Sequence, residues 1–258
     1  MIFYFSATGN TLWAARQISQ ATGEQLVPIT DDTHPVNITL NEGERLGFCF
    51  PVHGWRPPLI VRRFISRLVV ENLSQHYVFA LCTAGDTVGE AIDIFRNDLS
   101  QRSIPLHAVG SLLMPESYVG MPFMDVDTPQ REKEKIAASA QRLQGIIADI
   151  VQHRPIASPL DIGRWPRINS RLIGSVFVKW LITDNPFRVA PDRCLRCGRC
   201  ATLCPVHDIE AQPGHLPQWQ HNGRCLTCFS CYHHCPAHAI SFGWRTKGKG
   251  QYFLKVDE

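Results

Sequence analysis

Features that would place this 258-residue chain in a membrane or outside the cell are missing from its sequence. The longest apolar stretch beyond the N-terminal region, Leu172–Ile182, is interrupted by Lys179 and is too short to span a bilayer. The chain opens directly into a predicted strand at Met1–Phe5, without a basic leader or an apolar export segment. We therefore expect a cytoplasmic protein that does not insert into a membrane, in a compartment where thiols stay reduced.

The sequence also lacks a basic cluster with interleaved aromatic residues, which is typical of nucleic-acid binding. The formal net charge of +3 is unevenly distributed: residues 1–155 carry 13 basic and 16 acidic side chains, whereas residues 186–258 carry 9 and 5. The C-terminal excess of positive charge is not arranged in such a cluster. We therefore expect no nucleic-acid partner.

Eight of the ten cysteines fall in two copies of the same spacing pattern. Each copy reads C-x2-C-x2-C-x3-C-P, the ligand pattern of bacterial two-cluster ferredoxins, in which the fourth cysteine of a run ligates the other cluster. We therefore predict two [4Fe-4S] clusters, the first held by the sulfurs of Cys194, Cys197, Cys200 and Cys235. The second would be held by the sulfurs of Cys225, Cys228, Cys231 and Cys204.

Zinc and disulfides are the alternatives to iron–sulfur clusters. Structural zinc sites usually separate two ligand pairs by a longer spacer, and disulfides would require an export signal, so both alternatives fit less well. The segments Arg193–Ile209 and Arg224–Ile240 share nine of seventeen residues at an offset of 31. This repeat predicts a duplicated fold with approximate two-fold symmetry. The other two cysteines, Cys49 and Cys82, are predicted to be buried as small apolar residues.

Residues 1–153 alternate between strand-like and helix-like segments. Apolar runs predict five strands, at Ile2–Phe5, Leu26–Ile29, Leu46–Phe50, Tyr77–Leu81 and Leu106–Leu113. Amphipathic segments predict four helices, at Asn10–Ala21, Pro58–Val70, Val88–Leu99 and Gln130–Gln152. This alternation indicates an α/β fold with a doubly wound, five-stranded parallel sheet, in which ligands bind beyond the carboxyl ends of the strands.

Three loops at those carboxyl ends are candidates for a cofactor site. The first offers hydroxyl and backbone N–H donors at a helix N-terminus, where a phosphate is stabilised, and it consists of Ser6, Ala7, Thr8, Gly9, Asn10 and Thr11. The second presents an aromatic ring for stacking and contains Pro51, Val52, His53, Gly54 and Trp55. The third can contact the polar edge of a ring and contains Thr83, Ala84, Gly85 and Asp86.

Each loop also has a simpler interpretation. The first has neither the triphosphate-loop nor the dinucleotide motif and carries no Lys or Arg, so it could be a plain helix cap. Trp55 could belong to a domain interface, and His53 could be a proton donor or a packing residue. The position of the first loop directly after the first strand of an α/β sheet favours the phosphate interpretation.

With a first loop of the S-x-T-G-x-T type and an aromatic second loop, residues 1–153 resemble flavodoxin. The whole chain is similar to the flavodoxin–ferredoxin fusions known as EFR family ferredoxins. The resemblance implies noncovalently bound FMN, with its phosphate in the first loop and its ring at Pro51–Trp55 and Thr83–Asp86. It also implies a flavodoxin-like domain at 1–153, a linker at 154–185 and a small α+β ferredoxin domain with two [4Fe-4S] clusters at 186–258.

The linker contains an amphipathic segment between proline breaks. Its apolar residues share one helical face: Ile168, Leu172, Ile173, Val176, Phe177, Trp180 and Leu181. We expect this helix to pack on the flavodoxin-like domain and not on a membrane surface. The loop Met114–Asp127 could either cover the flavin or pack against the linker.

Clusters of this kind carry one electron at a time, and a flavin accepts one or two. The sequence therefore predicts an electron-transfer protein that passes electrons between FMN, two clusters and a partner oxidoreductase. The alternative is an FMN-dependent reductase of a small substrate, fed by the clusters. A concave pocket lined by His53, Trp55 and Met114–Asp127 would favour the reductase, whereas a covered or narrow flavin edge would favour the carrier. A zinc-bound interaction module is a third hypothesis.

Overall fold

The computed structural model describes residues 1–30, 34–212 and 214–256. Its N-terminal part contains seven strands: β1 (Ile2–Tyr4), β2 (Leu26–Pro28), β3 (Val36–Thr39), β4 (Leu46–Pro51), β5 (Leu68–Glu71), β6 (Val78–Ala84) and β7 (Ala108–Leu113). Five of them form a parallel sheet in the order β2-β1-β4-β6-β7. This is the strand order of the flavodoxin-like fold, and the order reverses between β1 and β4.

Four helices cover the two faces of this sheet: α1 (Asn10–Thr22), α2 (Leu59–Arg67), α3 (Ala91–Ser100) and α4 (Pro129–Val151). The apolar residues of α2 and α3 pack in one buried cluster, and those of α1 and α4 pack in another on the opposite face. Cys49 and Cys82 lie in these cores and are fully buried, as the sequence predicts. The sheet therefore has the doubly wound, five-stranded architecture expected from the alternation of segments.

The helix predicted at Pro58–Val70 is wrong at its C-terminal end. Helix α2 stops at Arg67, and the following residues form β5, which pairs in parallel with β3, outside the main sheet. Val69 and Val70 are β-branched and favour extended structure once a partner strand is available. Strand β3 lies 32 residues earlier and was not predicted.

The linker helix spans residues 168–181. It consists of two π-helical stretches, Ile168–Ile173 and Phe177–Leu181, on either side of α5 (Gly174–Val176). The C-terminal part follows with β8 (Phe187–Val189), α6 (Arg199–Thr202), β9 (Ile209–Glu210), β10 (Gln218–Trp219), α7 (Ser230–His233) and β11 (Ile240–Phe242). Strand β8 pairs with β11 and β9 with β10, both antiparallel, as in a small ferredoxin-type domain.

The two parts of the chain are packed together. Val206 and Leu226 of the C-terminal part are buried in the same apolar cluster as the residues of α2 and α3. Beyond β11 the chain runs back to the first loop, where the Leu254 N–H donates to the Thr8 carbonyl at 2.8 Å. Among the described residues, no helix combines the length and apolarity that a membrane crossing would require.

Candidate functional site: two cysteine clusters and an adjoining cavity

The first set of four cysteines surrounds a small cavity in the C-terminal part. Its lining includes Cys194, Cys197, Cys200 and, from the second run, Cys235. The fourth member of the first run, Cys204, is absent from this lining. The fold therefore brings together the four sulfurs that crossed ligation requires.

The second set is more deeply buried than the first. Cys231 is buried, whereas Cys197 is exposed. Burial raises the pKa of the Cys231 thiol, and the neighbouring Cys228, Cys225 and Cys204 sulfurs raise it further. Thiols crowded in an apolar environment are poor sites for free charge, so they fit a cationic metal centre that stabilises several thiolates together.

Backbone N–H groups point at the sulfurs in a pattern that follows the sequence repeat. In each run the first cysteine accepts from the residue two positions later, and the fourth accepts from the residue four positions later. The bonds are Arg196 N to Cys194 Sγ and Thr227 N to Cys225 Sγ, both 3.4 Å, and Asp208 N to Cys204 Sγ and Ala239 N to Cys235 Sγ, both 3.3 Å. Such N–H···S bonds stabilise negative charge on the sulfur of a ligated cluster.

The same repeat is visible in the backbone dihedral angles. Three matched pairs at the offset of 31 all have positive φ: Arg196 with Thr227, Gly198 with Phe229, and His207 with His238. Residues other than glycine adopt this conformation rarely, so three matched pairs indicate a duplicated loop geometry and not chance. The duplicated loop geometry predicted from the repeat is therefore present in the structure.

A larger cavity of about 290 Å³ lies at the carboxyl ends of β1, β4 and β6. This volume is close to the lower end of small-molecule sites, roughly 300 Å³. Every residue predicted for the cofactor site lines it except Gly9: Ser6, Thr8, Asn10, Thr11, Pro51, Val52, His53, Gly54, Trp55, Thr83, Ala84, Gly85 and Asp86. Gly9 instead lies against the C-terminal segment, where a Cβ would meet the Leu254 carbonyl oxygen at 2.1 Å.

The first loop leaves one hydroxyl without a partner. Ser6 Oγ is buried and forms no hydrogen bond within the described residues, although it lies in the cavity wall. Thr11 Oγ1 lies 2.8 Å from Thr83 Oγ1, which joins the first and third loops. A buried polar atom without a partner is costly, so the unsatisfied Ser6 hydroxyl fits a ligand that carries hydrogen-bond acceptors.

Asn10 connects the first loop to two distant segments. Its amide Nδ2 donates to the Pro115 carbonyl at 3.0 Å, and its Oδ1 accepts from the Tyr252 hydroxyl at 2.6 Å. The Thr8 hydroxyl donates to Ser117 Oγ at 3.3 Å. The first loop is thus held in place by the loop after β7 and by the C-terminal segment, and not by α1 alone.

The second loop is built on a tight turn at its tip. Gly54 and Trp55 both have positive φ, and Trp55 Nε1 donates to Thr87 Oγ1 at 3.0 Å. A Cβ at Gly54 would lie 2.6 Å from the Phe177 ring, so only glycine permits this approach of the linker helix. Burial lowers the pKa of His53 to about 4, which keeps the imidazole neutral at physiological pH.

The third loop faces a half-buried carboxylate, Glu116, that the sequence analysis did not single out. Glu116 Oε1 accepts from the Ser117 and Tyr118 N–H groups at 2.9 and 2.8 Å, and burial raises the pKa of Glu116 despite these bonds. Its carboxylate lies so close to Gly85 that a Cβ there would meet Oε2 at 2.1 Å. Glu116 is therefore an ionisable group in the cavity wall beside the third loop.

The loop Met114–Asp127 lines the cavity and also packs against the linker. Residues from Pro115 to Met124 line the cavity, and Tyr118 contacts the linker residue Phe177 edge to face at 5.4 Å between ring centroids. Lys249 Nζ donates to the carbonyls of Val119, Met121 and Met124, which ties this loop to the C-terminal segment.

The cavity ends at the second cysteine set. Thr227 and Cys228 are part of its lining, together with Phe177 and Leu181 of the linker helix. Sequence reasoning missed this juxtaposition, because only the packing of the two parts of the chain creates it. A group that fills the cavity would therefore touch a cysteine of the repeated motif.

These features define a class of protein, a flavodoxin-like α/β sheet joined to a 4Fe-4S ferredoxin-type domain. Residues 187–236 match the family described as 4Fe-4S dicluster domain. Among solved structures, the chain is similar to candidate flavoproteins from Bacteroides uniformis (20% identity, 44% of this chain and 88% of that chain, TM-score 0.35) and Bacteroides eggerthii (16%, 54% and 96%, TM-score 0.33). No curated protein matches the chain.

Proposed function

We propose that this protein is an electron-transfer iron–sulfur flavoprotein that passes electrons between FMN, two [4Fe-4S] clusters and a partner oxidoreductase. The observation that carries the proposal is the position of Cys228 in the wall of the cavity formed by the three flavodoxin-type loops. A flavin in this cavity and a cluster on Cys228 would share one wall. Such proximity suits electron transfer between them, while the redox chemistry belongs to the cofactors.

The FMN assignment is supported by the character of the first loop. Its phosphate would be held by neutral donors at the N-terminus of α1, including the unpartnered Ser6 hydroxyl, because no Lys or Arg lies in the loop. Aromatic side chains are available for the ring, with Trp55, Tyr118 and Phe177 in the same cavity. The neutral imidazole of His53 adds no positive charge to this site at physiological pH.

In this scheme, Cys194, Cys197, Cys200 and Cys235 hold one cluster, and Cys225, Cys228, Cys231 and Cys204 hold the other. The second cluster would lie beside the flavin, since Cys228 lines the cavity. The first lies at the surface, since Cys197 is exposed and Leu195 next to the ligand Cys194 is 67% exposed. Electrons would therefore enter or leave the protein at the first cluster and reach the flavin through the second.

The proposal includes the finer assignments made from the sequence. We place the domain boundaries at 1–153, 154–185 and 186–258, and assign the chain to the EFR type of flavodoxin–ferredoxin fusion in an anaerobic cytoplasm. The cysteine repeat and the flavodoxin-like strand order both support this assignment.

Anaerobic purification followed by iron, sulfide and flavin analysis tests the proposal. We expect about eight irons, from two four-iron clusters, and one FMN per chain. The variant Ser6→Ala/Thr11→Ala should lose FMN and keep its iron. Ser139→Ala is the control, because it also removes a buried hydroxyl but lies away from the cavity. Ser139 Oγ donates to the Leu113 carbonyl, where α4 packs on β7. Purified protein that contains iron but no flavin would refute the electron path.

A second candidate function rests on the shape of the cavity. His53, Trp55 and several residues of Met114–Asp127 line it, which was the condition for a flavin-dependent reductase of a small substrate. Phe123 belongs to the same lining and is 81% exposed, so the cavity reaches solvent there. Turnover of small electron acceptors by the reduced holoprotein, lost in Phe123→Trp, would support the reductase. Oxidation only by protein acceptors would support the carrier.

A further inference from the structure

The linker helix packs on the flavodoxin-like part through two small residues and through Phe177, and not through the rest of its predicted apolar face. Gly174 is buried, and a Cβ there would meet the Gly54 carbonyl oxygen at 2.4 Å. Ser170 is also buried, where its Oγ accepts from the Glu90 N–H at 2.8 Å and its carbonyl accepts from Arg56 Nη1 at 2.8 Å. The expected packing exists, but it relies on Gly174 and Ser170 together with Phe177, and not on most of the predicted apolar face.

Most of the predicted apolar face is therefore left in solvent. Four exposed side chains at spacings of four residues along the helix, together with Trp165 just before it, form an exposed stripe, which we call the linker stripe: Trp165 (56% exposed), Ile168 (49%), Leu172 (65%), Val176 (48%) and Trp180 (66%). Large apolar side chains are often exposed singly, but a continuous row along one helix face indicates a surface that is covered in use.

The segment that carries the linker stripe has charges of one sign only. Residues 162–183 contain four cations, Arg164, Arg167, Arg171 and Lys179, and no Asp or Glu. Arg171 pairs with Glu90 at 2.8 Å, while the other three form no ion pair within ranges 1–30, 34–212 and 214–256. Two of these cations lie over the tryptophans at the ends of the stripe, Arg164 at 5.4 Å and Lys179 at 5.1 Å from the ring centroids.

We propose that the linker stripe binds the surface of an anionic lipid bilayer. An apolar face bounded by tryptophans, with Lys and Arg beside it, is the arrangement by which helices lie in the headgroup region. Tryptophan rings favour that interface, and basic side chains gain from the negative surface potential of anionic lipids. The protein would thus be held peripherally, without a segment that crosses the bilayer.

A second copy of the chain fits the linker stripe less well. In a two-fold symmetric dimer the same patch meets itself, so the stripe of one copy would place its Arg and Lys residues beside those of the other. No carboxylate in residues 162–183 is available to offset this repulsion. An anionic bilayer supplies the missing negative charge along the whole helix.

Membrane adsorption would also place the cavity close to the bilayer. Ile173, Phe177 and Leu181 line the cavity from the same helix that carries the linker stripe. A protein held in this way would exchange electrons with partners at the membrane surface. This consequence rests on the proposed function, but the binding itself does not and is measured separately.

Flotation of the anaerobically purified holoprotein with lipid vesicles tests the binding. We expect the wild type to float with vesicles of phosphatidylcholine and phosphatidylglycerol at low salt, and to stay behind with phosphatidylcholine alone. Arg167→Gln/Lys179→Gln should weaken partitioning by roughly fivefold per charge. Leu172→Glu and Trp180→Glu should reduce it by at least about tenfold, since each adds a negative charge and removes apolar contact.

The matched control is Val69→Glu, which adds the same charge at a 40% exposed position on β5, away from the linker. It should float like the wild type, and iron and flavin contents should be unchanged in all variants. The proposal is overturned if the wild type does not float with anionic vesicles, or if Val69→Glu weakens flotation as much as Leu172→Glu. It is also overturned if the wild type is a dimer in solution that Leu172→Glu dissociates.

Discussion

The hydrogen bond between Tyr252 and Asn10 gives the sharpest test of how the C-terminal segment supports the cavity. The Tyr252 hydroxyl donates to Asn10 Oδ1 at 2.6 Å, and the two residues are 6% and 8% exposed. Tyr252→Phe removes the donor and leaves the ring. The Asn10 amide would then keep its bond to Pro115 but lose the partner of its oxygen.

The size of the effect follows from the burial of that oxygen. An unsatisfied buried acceptor costs about 1–3 kcal/mol. Because Asn10 is the first residue of α1 and lines the cavity, this cost should fall on the conformation of the first loop that binds ligand. If the whole cost opposes binding, FMN affinity should fall by roughly 5- to 150-fold.

The assay is fluorescence titration of FMN into protein from which flavin, but not iron, has been removed anaerobically, combined with urea denaturation. The matched control is Tyr77→Phe, because the Tyr77 hydroxyl also donates at 2.6 Å, to the Arg154 carbonyl, at the amino end of β6. Tyr77→Phe should lower the free energy of unfolding and leave FMN affinity unchanged. If Tyr252→Phe weakens FMN binding no more than Tyr77→Phe, the C-terminal segment does not support the site.

Three further predictions concern the turn at Gly54, the ligation of the first cluster by Cys235 and the dependence of stability on pH. Gly54→Ala should lower the free energy of unfolding by about 1–2 kcal/mol because φ is +56°, whereas Gly145→Ala, in open space on α4, should raise it by about 0.5–1 kcal/mol, both measured in urea. Cys235→Ser should abolish the EPR signal of the cluster assigned to the first cysteine run; loss of the other signal would refute crossed ligation. The pKa of His53 falls from 6.5 to about 4 on folding, so the unfolded chain binds a proton in this pH range that the folded protein does not. The free energy of unfolding should therefore drop by up to about 3 kcal/mol as the pH falls from 6.5 to 4. If His53→Gln shows the same pH dependence of stability as the wild type, this reasoning is wrong.

The features that were predictable from sequence are those set by local spacing. The cysteine runs place sulfur ligands within a few residues of each other, so short loops fix their geometry whatever surrounds them. The three cavity loops follow from the topology, since parallel strands bring their carboxyl ends to one edge. Gly9 was predicted to be part of the cofactor site but does not line the cavity. A residue without a side chain is needed there because the Leu254 carbonyl oxygen lies against its backbone.

The features that escaped prediction depend on contacts between distant segments. Strand β5 exists because β3 pairs with it, and helical periodicity alone does not register such a partner. Glu116 meets the third loop only because the loop after β7 folds back beside Gly85, and Cys228 and Tyr252 meet the cavity or its first loop only after the C-terminal part has docked. The Tyr252–Asn10 bond joins residues 242 positions apart, a separation at which a sequence pattern carries no signal.

The repeated cysteine motif explains why the two clusters would have different roles. The left-handed backbone position occupied by Gly198 in the first copy is occupied by Phe229 in the second. A side chain in that conformation costs roughly 1–2 kcal/mol, whereas full burial of a phenylalanine contributes about 1.5–3 kcal/mol. Phe229 is 1% exposed among Tyr118, Phe187 and Phe242, so burial offsets the backbone cost. The second copy thus packs on the loop Met114–Asp127 through Tyr118. The first copy has Gly198 at this position and is exposed to solvent. One duplicated loop would therefore supply both an inner cluster next to the proposed flavin and an outer cluster accessible to a partner.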